Sequence, residues 1–495
     1  MTTPMNASST PAATPPAGTA TGTSSTAPTG VREVVRSAAD VNRILAVHGS
    51  RGTKSKAIIL LALGGIFMDA YDFSSLAFGI TAIREQFGLN GFMTGLVNAS
   101  IMVGAVVGAI FGGVLVDRFG RYKLFMADMV FFVVAAIGCA LAPEEWSLIF
   151  FRFLMGIGVG LDLPVAMAFL AEFSKLRGSG NRSQRVNAWS PAWYIATGFG
   201  YVVVLVCFLL LPIDQHDYLW RIVVGFGAVP AIVVLLVRRK YMAESPQWLA
   251  DQGDLRGAVD IMRSHHGLDV ELDLPAGSRV QKKESGKWKG IAELFSPKYR
   301  IRTIVALCVS VFSTFGYNAV AYGTPLIITT LFHQGALTTI VSSLVINLVF
   351  GAVGGILGVA IVNRFGARRI TLVGFVLQTI AIGTLALVGV PANALVFVAI
   401  AMLALFVFAQ AGGPGANLMS YATLSYPTRL RGVGIGFNES AKRLFSIVSL
   451  LGFPILSTAM STNVFWLIAI APLCGALAVA LIPWDPTGKD VDAED

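Results

Sequence analysis

The sequence is dominated by stretches of about 20 residues that carry almost no charge. A helix needs about this length to cross the hydrocarbon core of a bilayer, because each residue adds roughly 1.5 Å of rise. We count twelve such stretches, which occupy residues 57–82, 93–116, 123–142, 147–172, 187–211, 220–238, 302–331, 338–361, 370–390, 394–422, 433–459 and 463–482. Each is expected to satisfy its own backbone hydrogen bonds as a transmembrane helix.

The composition favours helices in lipid over a soluble fold. Hydrophobic residues make up 55% of the 495 residues and charged residues only 13%, whereas soluble domains carry about 25% charged residues. A transmembrane barrel would instead show short segments of alternating hydrophobicity. The sequence therefore predicts an all-α polytopic membrane protein with twelve transmembrane helices.

Lys and Arg are concentrated in alternate loops, which sets the predicted orientation. By the positive-inside rule both termini lie in the cytoplasm, together with the basic loop residues Arg118, Arg121, Lys123, Lys175, Arg177, Arg182, Arg185, Arg364, Arg368, Arg369, Arg429 and Arg431. Basic loops beside anionic lipid also account for the net charge of +9. No nucleic-acid partner is therefore predicted, and the expected location is a bacterial inner (plasma) membrane.

Two polar segments divide the chain. Residues 1–30 are rich in Pro, Thr, Ser and Ala and lack the apolar core of a signal peptide, which is typical of a disordered tail. The segment between the sixth and seventh spans predicts one or two surface helices. The predicted organisation is a disordered cytoplasmic tail (1–56), a six-helix bundle (57–238), a cytoplasmic linker (239–300), a second six-helix bundle (301–483) and a cytoplasmic tail (484–495).

No residue pattern for enzyme chemistry stands out. Cys139, Cys207, Cys308 and Cys474 fall inside predicted spans without CxxC spacing, so neither a disulfide framework nor a zinc site is predicted. No Ser/His/Asp set, metal-ligand spacing or phosphate-binding loop is apparent. We expect a protein that is not an enzyme and that carries no cofactor. A receptor that binds a solute without moving it is an alternative.

The two predicted bundles contain related loops. "GGVLVDRFGRYK" (112–123) follows the second span and "LGVAIVNRFGARR" (357–369) follows the eighth, so R-F-G and a basic residue recur at the same place in each half. Such a repeat is typical of two-bundle transporters. The first copy resembles G-x-x-x-D-R-x-G-R, the signature of the major facilitator superfamily, and that resemblance implies the major facilitator fold. It also implies gating roles for the charged residues Asp117, Arg118, Arg121, Glu172, Arg364 and Arg368, although Asn363 replaces the acid in the second copy.

Further motifs are similar to those of sugar porters and related metabolite:proton symporters. "RFLMGIGVG" in the fourth span is similar to their R-x-x-x-G-x-G-x-G, "AESPQWL" (243–249) to P-E-S-P-R-W-L, and "GYNAVAYGTP" (316–325) to G-x-N-A-x-x-Y-Y-S-P. The acids in "MDAYD" (68–72) instead resemble the D-G-x-D of aromatic-acid:proton symporters, with Ala70 in place of Gly. The Gln pair that sugar porters usually place in the fifth span is missing. The resemblance implies proton-coupled uptake and leaves the solute open.

Asp69 and Asp72 lie near the middle of the first span. An ionised group at the bilayer centre costs at least about 2.5–3.5 kcal/mol, so such residues usually face a cavity and mark a pathway. Helix rise places both roughly 18–22 Å from the cytoplasmic end of the span, in a middle layer with Asp162 and with Arg152 nearer the outside. We predict that these four residues couple proton binding to movement of the bundles, since a carboxylate in low dielectric takes up a proton unless an Arg is near. A permanent interhelical ion pair is the alternative for each acid.

Polar and aromatic residues in the fifth, seventh and tenth spans predict the walls of a central cavity. The candidate substrate-binding residues are Asn318, Tyr322, Trp193, Tyr194, Gln410 and Asn417, with helix packing as the alternative role. Gly104, Gly108 and Gly112 follow a small-xxx-small pattern in the second span, which predicts close helix contact rather than a solute site.

Together these features predict a secondary active transporter. We expect it to import a small polar organic solute (a sugar, polyol or related metabolite) by proton symport through alternating access. An aromatic or other organic-acid:proton symporter is the runner-up, and a proton-driven efflux antiporter is a further alternative. The expected partners are the solute, protons and the lipid bilayer, and the chain is expected to function as a monomer.

Overall fold

The computed structural model describes residues 33–48, 54–173, 182–265, 267–273, 287–489 and 491. Inside these ranges the surroundings of residues 46–48, 54–63, 112–114, 116–117, 163–173, 182, 287–290 and 428–429 are not described.

The first half of the chain is helical after one short strand. Its elements are β1 (Glu33–Val35), α1 (Ala38–His48), α2 (Lys54–Phe87), α3 (Gly91–Phe119), α4 (Arg121–Ala140), α5 (Glu145–Phe173), α6 (Arg182–Asn187), α7 (Trp189–Leu210), a 3₁₀ turn (Ile213–Tyr218), α8 (Leu219–Phe226) and α9 (Ala228–Tyr241). The linker contains α10 (Pro246–Asp251), α11 (Leu255–Ser264), β2 (Val270–Leu272) and α12 (Lys287–Leu294).

The second half repeats this pattern with more irregular helices. Its elements are α13 (Arg300–Val320), α14 (Thr324–Leu326), a π-helical segment (Ile327–Leu331), α15 (Ala336–Leu344), a second π-helical segment (Val345–Gly351), α16 (Ala352–Phe365), α17 (Ala367–Val388), α18 (Leu395–Gly412), α19 (Pro414–Leu424), α20 (Thr428–Met460), a 3₁₀ turn (Ser461–Asn463) and α21 (Val464–Leu481).

Helices coincide with all twelve predicted spans. Ten stretches of the described residues are long and apolar enough to cross a membrane. One of them, Leu430–Leu481, joins the two helices α20 and α21. The predicted fourth span corresponds to the 29-residue helix α5, which is described in full only along its first part. The prediction of an all-α polytopic fold is therefore confirmed.

Helices α3 and α5 touch at their backbones through glycine. A Cβ atom added to Gly104 would overlap the carbonyl oxygen of Phe153, and one added to Gly156 would overlap that of Ile101. Gly108 has a similarly close contact with the neighbouring helix. These contacts confirm the small-residue prediction for Gly104 and Gly108, because backbones come this close only where no side chain separates them.

The R-F-G loops form the same turn in both halves. Gly120 has a φ of 92° and Gly366 a φ of 83°, values in the left-handed region that glycine adopts without steric cost. Each glycine directly precedes the third long helix of its half, α4 or α17. The sequence repeat thus encodes a repeated backbone conformation.

A carboxylate from the end of each half caps the helix that follows this turn. Glu244, after α9, accepts a hydrogen bond from the backbone N–H of Arg121 (2.8 Å). Asp485, after α21, accepts one from the backbone N–H of Arg368 (3.1 Å). A negative charge at a helix N-terminus is favoured by the orphan N–H groups and the helix dipole. These contacts connect the chain after α9 to the start of α4 in the first half. In the second half they connect the chain after α21 to the start of α17.

Residues 33–48 are folded, although the sequence predicted a disordered tail as far as residue 56. Strand β1 pairs in parallel with β2 of the linker. Val41 and Ile44 of α1 are buried against Val259 and Met262 of α11. The predicted tail therefore extends too far toward the first span. The correction has a physical reason: this short segment is stable only against the linker, a surface that its own sequence does not reveal.

This packing predicts a specific sensitivity to protease. Val41 is fully buried, so Val41→Asp would place an unpaired charge in an apolar core at a cost of several kcal/mol. We expect Val41→Asp to release residues 33–48 and to speed tryptic cleavage after Arg36 and Arg43 by about tenfold or more. The matched control is Asn42→Asp on the exposed side of α1. Equal cleavage rates for the two variants would show that α1 does not depend on the linker.

Candidate functional site

A cavity lies between the two halves of the chain. Helices α2, α3 and α5 line it from the first half, and α13, α14 and α20 line it from the second. The lining residues are Phe73, Leu76, Ala77, Ile80, Asn98, Arg152, Asn318, Tyr322, Gly323, Leu326, Leu450 and Phe453. Asn318 and Tyr322, two of the predicted substrate-binding residues, are therefore placed on the wall of one cavity together with Arg152.

Arg152 brings a buried cation to this cavity. Its side chain is 1% exposed. Nη1 lies 4.0 Å from the sulfur of Met155, and Nε has no hydrogen-bond partner among the described residues. An isolated buried cation is costly unless it is paired. An anionic partner would therefore stabilise Arg152.

Asp72 is a candidate for that partner within the protein. It is 2% exposed, and its Oδ2 has no hydrogen-bond partner in the described part of the chain. The charges of Asp72 and Arg152 interact electrostatically, although no ion pair within 4 Å joins them in the described structure. Asp72 itself does not line the cavity. Arg152 therefore lines the cavity and also interacts with this carboxylate.

Asp69 has different electrostatic partners, although it lies one helical turn away. Its charge interacts with Arg443 of α20, in the other half of the chain, and with Asp162. Oδ1 of Asp69 and Nη1 of Arg443 have no hydrogen-bond partner among the described residues. The two acids of "MDAYD" were predicted to lie in one middle layer of the membrane. In the structure Asp72 interacts with Arg152 of its own half. Asp69 interacts instead with Arg443 of the other half.

Asp162 is bonded to Arg238 rather than to Arg152. Nη2 of Arg238 donates to Oδ1 of Asp162 at 3.0 Å, and Nη1 donates to Asp128 Oδ1 at 2.9 Å. Nη1 also donates to the carbonyl oxygen of Phe125 at 2.7 Å. All three charged side chains are nearly or completely inaccessible to solvent. The structure thus places Asp162 in a network that joins α4, α5 and α9, although its charge still interacts with that of Asp69.

Aromatic and small residues complete this network. The guanidinium carbon of Arg238 lies 3.5 Å from the ring centroid of Phe125, a close cation–π contact. Gly65 of α2 leaves room for Asp162, because a Cβ at that position would overlap its carboxylate. Four helices therefore meet at one arginine and its two acids.

Trp193 and Tyr194 belong to an aromatic cluster beside the cavity. The indole N–H of Trp193 donates to the hydroxyl of Tyr317 at 2.7 Å, which links the fifth and seventh spans. Tyr194 meets the ring of Tyr317 edge-on. The cluster continues to Tyr322, whose ring stacks on Phe73 with 4.6 Å between centroids. Trp193 and Tyr194 thus contact the cavity wall through Tyr317 and do not line the cavity themselves.

Gln410 and Asn417 lie away from the cavity lining. Gln410 is bonded to Gln378 (2.5 Å) and to the hydroxyl of Ser313 (2.8 Å). Oδ1 of Asn417 accepts from Nδ2 of Asn187 at 2.7 Å. Both amides are buried and are engaged by neighbouring helices. In this conformation they join helices, which corresponds to the packing alternative.

The predicted gating residues are only partly described. The surroundings of Asp117 and Glu172 lie outside the described residues. Arg118 and Arg364 are exposed, and each guanidinium lies over the phenylalanine that follows it, at 5.4 and 5.5 Å. The two arginines of the R-F-G turns therefore have equivalent surroundings.

The other two predicted gating arginines sit at the starts of α4 and α17. The backbone N–H of Arg121 is capped by Glu244. The side chain of Arg368 donates to the carbonyl oxygens of Val479 (3.1 Å) and Ala480 (2.8 Å) at the end of α21. These hydrogen bonds hold each of the two residues to a partner in its own half.

Several residues of the site were missed by sequence reasoning. Asn98 lines the cavity, and Asp128 and Arg238 form the buried network. Asp128 could have been found from the sequence, because it is an acid inside the third predicted span. Arg238 stands at the end of the sixth predicted span and resembles an ordinary basic loop residue. Asn98 carries no charge and has no signal apart from its place on a helix.

Comparison with known proteins identifies the family of this chain. The profile of the family described as sugar (and other) transporters matches residues 57–483. A D-xylose transporter of Levilactobacillus brevis is 27% identical over 416 residues, which are 81% of this chain and 86% of that protein. The niacin transporter NiaP of Acinetobacter baylyi is 26% identical over 448 residues, which are 88% of this chain and 94% of that protein.

The fold is shared with a solved structure. The xylose transporter XylE from E. coli, in a partially occluded inward-open conformation, matches with a TM-score of 0.71 at 19% identity, covering 89% of this chain and 100% of that one. The predicted major facilitator fold is thereby confirmed. The chain is a multi-pass membrane protein and, like its relatives, a transporter of sugars or other metabolites rather than an enzyme. It belongs to the family described as sugar (and other) transporters.

Proposed function

We propose that this transporter imports a small polar organic solute together with protons, and that Asp72 carries the proton. The observation that supports this most directly is that the buried carboxylate of Asp72 interacts electrostatically with Arg152, which lines the cavity. A buried carboxylate without an ion pair is stable when it is protonated, and a nearby arginine favours its ionised form. The proton affinity of Asp72 therefore depends on which other groups Arg152 contacts.

The transport cycle follows from this dependence. In the outward-facing state Asp72 takes up a proton, and the solute enters the cavity beside Arg152. The two halves then rock around the occupied cavity, as alternating access requires. When the solute leaves on the other side, Arg152 again favours the ionised form of Asp72, and the proton is released. The coupling is a difference in proton affinity between two conformations.

Asp69 has a separate role in this proposal. It interacts with Arg443 across the interface between the halves, so its contact changes when the halves move. We assign Asp69 to the balance between conformations rather than to proton transport. The proposal also includes a bacterial inner membrane with both termini in the cytoplasm, because the basic loops satisfy the positive-inside rule, and a monomer as the functional unit.

Neutralising Asp72 is expected to separate solute exchange from accumulation. A thermal-shift screen against sugars, polyols, aromatic acids and dicarboxylates would first identify a solute for reconstituted protein. Asp72→Asn is then expected to lose most proton-driven accumulation, because an amide cannot bind and release the proton. Counterflow is expected to remain measurable, since exchange needs reorientation of the loaded carrier but no proton release.

Asp69→Asn is the matched variant on the same helix. We expect it to exchange and accumulate solute more slowly while keeping the pH dependence of the unmodified protein. Full proton-driven accumulation by Asp72→Asn would contradict the proposed proton site. A protein that binds the solute but shows neither counterflow nor uptake would favour a receptor instead.

A further inference from the structure

Hydrogen bonds join the two halves at the end of the molecule where α9 leads into the linker and α13 leads out of it, here called the linker end. Successive spans connected by short loops run in opposite directions, so α6 and α7 begin at the linker end and α19 finishes there. Asn187, the last residue of α6, contacts α19. Its Nδ2 donates to Oδ1 of Asn417 at 2.7 Å, and its Oδ1 accepts from the hydroxyl of Ser420 at 2.7 Å.

Two hydrogen bonds from the start of α7 extend this junction. The hydroxyl of Ser190 donates to the carbonyl oxygen of Ala411 at 2.8 Å, and the indole N–H of Trp189 donates to that of Ala416 at 3.3 Å. The second-half helix is interrupted at the same level, because Pro414 has no N–H and begins the new helix α19. Residues at such helix ends can absorb a change in backbone direction when two domains move apart.

The junction is buried but carries no charge. Asn187, Asn417 and Ser420 are completely inaccessible to solvent. A hydrogen bond between neutral groups contributes little net free energy, because water replaces the partner when the groups separate. Breaking a buried ion pair, such as that of Arg238 with Asp128 inside the first half, is far more costly. Neutral hydrogen bonds therefore suit a contact that breaks and forms again in each transport cycle.

The junction lies on the linker side of the cavity. Asn318, which lines the cavity, is in the last turn of α13 and thus far from the linker end. Ser420 is in the last two turns of α19, at the linker end. A solute that passes from the cavity to the linker end therefore has to pass the level at which Asn187 joins the two halves.

Other contacts join the halves at the opposite end, here called the far end. The hydroxyls of Thr81 on α2 and Thr329 in the second half are 3.5 Å apart. A Cβ atom added to Gly95, near the start of α3, would overlap the carbonyl oxygen of Leu451 on α20. The cavity between these two levels has room for about one water molecule. The halves are therefore in contact on both sides of the cavity.

We infer that Asn187 is a gating residue: its hydrogen bonds to Asn417 and Ser420 keep the linker end closed, and they break when that end opens. The inference rests on the alternating access of the proposed function. It depends neither on the identity of the solute nor on Asp72 as the proton site.

Thiol labelling in lipid nanodiscs tests the gate without a solute, because both ends of the protein face the reagent. Ser420→Cys is introduced into a protein whose four natural cysteines are replaced by alanine. Its thiol is buried at the junction, so a polar maleimide reaches it when the halves separate. We expect Asn187→Ala to raise the labelling rate of this thiol by about tenfold or more, because the closed state would leave Oδ1 of Asn417 without its donor.

Asn347→Ala is the matched control. Asn347 is also a buried amide, but its Nδ2 donates to the carbonyl oxygen of Ser343 in the same span. We expect it to leave the labelling rate of the Ser420→Cys thiol within about twofold. Asn187→Ser keeps a hydroxyl at the junction and is expected to give an intermediate rate. It serves as the comparison if Asn187→Ala folds poorly.

A reporter at the far end separates gating from a general loss of packing. In alternating access, opening of one end accompanies closure of the other. Asn187→Ala is therefore expected to lower the labelling rate of a Thr329→Cys thiol while it raises that of the Ser420→Cys thiol. A variant that only loosens the helices would raise the labelling rate at both ends.

The outcomes distinguish the gate from the proton site. An unchanged labelling rate of the Ser420→Cys thiol in Asn187→Ala and Asn187→Ser would overturn the gating role. A rise that Asn347→Ala matches, or that the far-end thiol shares, would also overturn it and leave the junction with a packing role. Full proton-driven accumulation by Asp72→Asn would contradict the proposed proton site, whereas opposite changes at the two reporters would still support the gate.

Discussion

Replacing Arg238 by methionine is expected to destabilise the first half of the chain by about 3–5 kcal/mol, the usual cost of removing one member of a buried ion pair. Arg238 is completely buried and bonds both Asp128 and Asp162. Without it, two carboxylates would remain close together without a counter-charge. We expect Arg238→Met to give a low yield of monodisperse protein by size-exclusion chromatography and a markedly lower unfolding temperature.

The triple variant Arg238→Met, Asp128→Asn, Asp162→Asn is expected to recover much of this stability. It removes all three charges together, and buried charge networks can often be replaced by neutral groups at little cost. Arg239→Met is the matched control, because Arg239 is the next residue on α9 and is exposed. If Arg238→Met folds and transports as the unmodified protein does, the network is not structural, and Asp162 returns as a candidate proton carrier.

Replacing Gly156 by leucine is expected to prevent the close approach of α3 and α5. Even a Cβ at Gly156 would overlap the carbonyl oxygen of Ile101, so the backbones have to separate before any side chain fits. We expect a loss of stability greater than the roughly 1–3 kcal/mol typical of an overpacked core. The helix α5 also carries Arg152, so any folded fraction is expected to bind solute weakly.

Gly383→Leu provides the control for this prediction. Gly383 lies inside the long helix α17, and no atom lies within 4 Å of the position of its added Cβ. Leucine there is expected to change the free energy of unfolding by no more than about 1 kcal/mol, the difference in helix propensity from glycine. Comparable expression and unfolding temperatures for Gly156→Leu and Gly383→Leu would show that the helix contact tolerates separation.

The predicted helices and family follow from local properties of the sequence. A run of about 20 apolar residues identifies a transmembrane helix because every backbone group must be satisfied inside lipid. The R-F-G repeat could also be identified from the sequence. The left-handed turns at Gly120 and Gly366 are local conformations that glycine permits. The position of Asp72 in the middle of a span also marked it as a functional candidate before any contact was known.

The partners of the charged residues depended on the tertiary structure. Arg238 and Asp128 are 110 positions apart, and nothing in either local sequence names the other. Asp69 and Asp72 are neighbours on one helix, yet the arginines with which they interact belong to different halves of the chain. Helical spacing determines the direction in which a side chain points but not which helix lies opposite.

The same limit applies to the candidate solute residues. Gln410 and Asn417 are polar residues in apolar spans, as Asn318 is, and no local pattern separates the three. The structure shows Gln410 and Asn417 bonded to neighbouring helices, whereas Asn318 lines the cavity and its Nδ2 has no hydrogen-bond partner among the described residues. The sequence by itself determined the helices, their repeat and the presence of charge inside the membrane, because these depend on hydrophobicity along the chain. Which charged residues pair with one another was decided by packing between helices far apart in sequence.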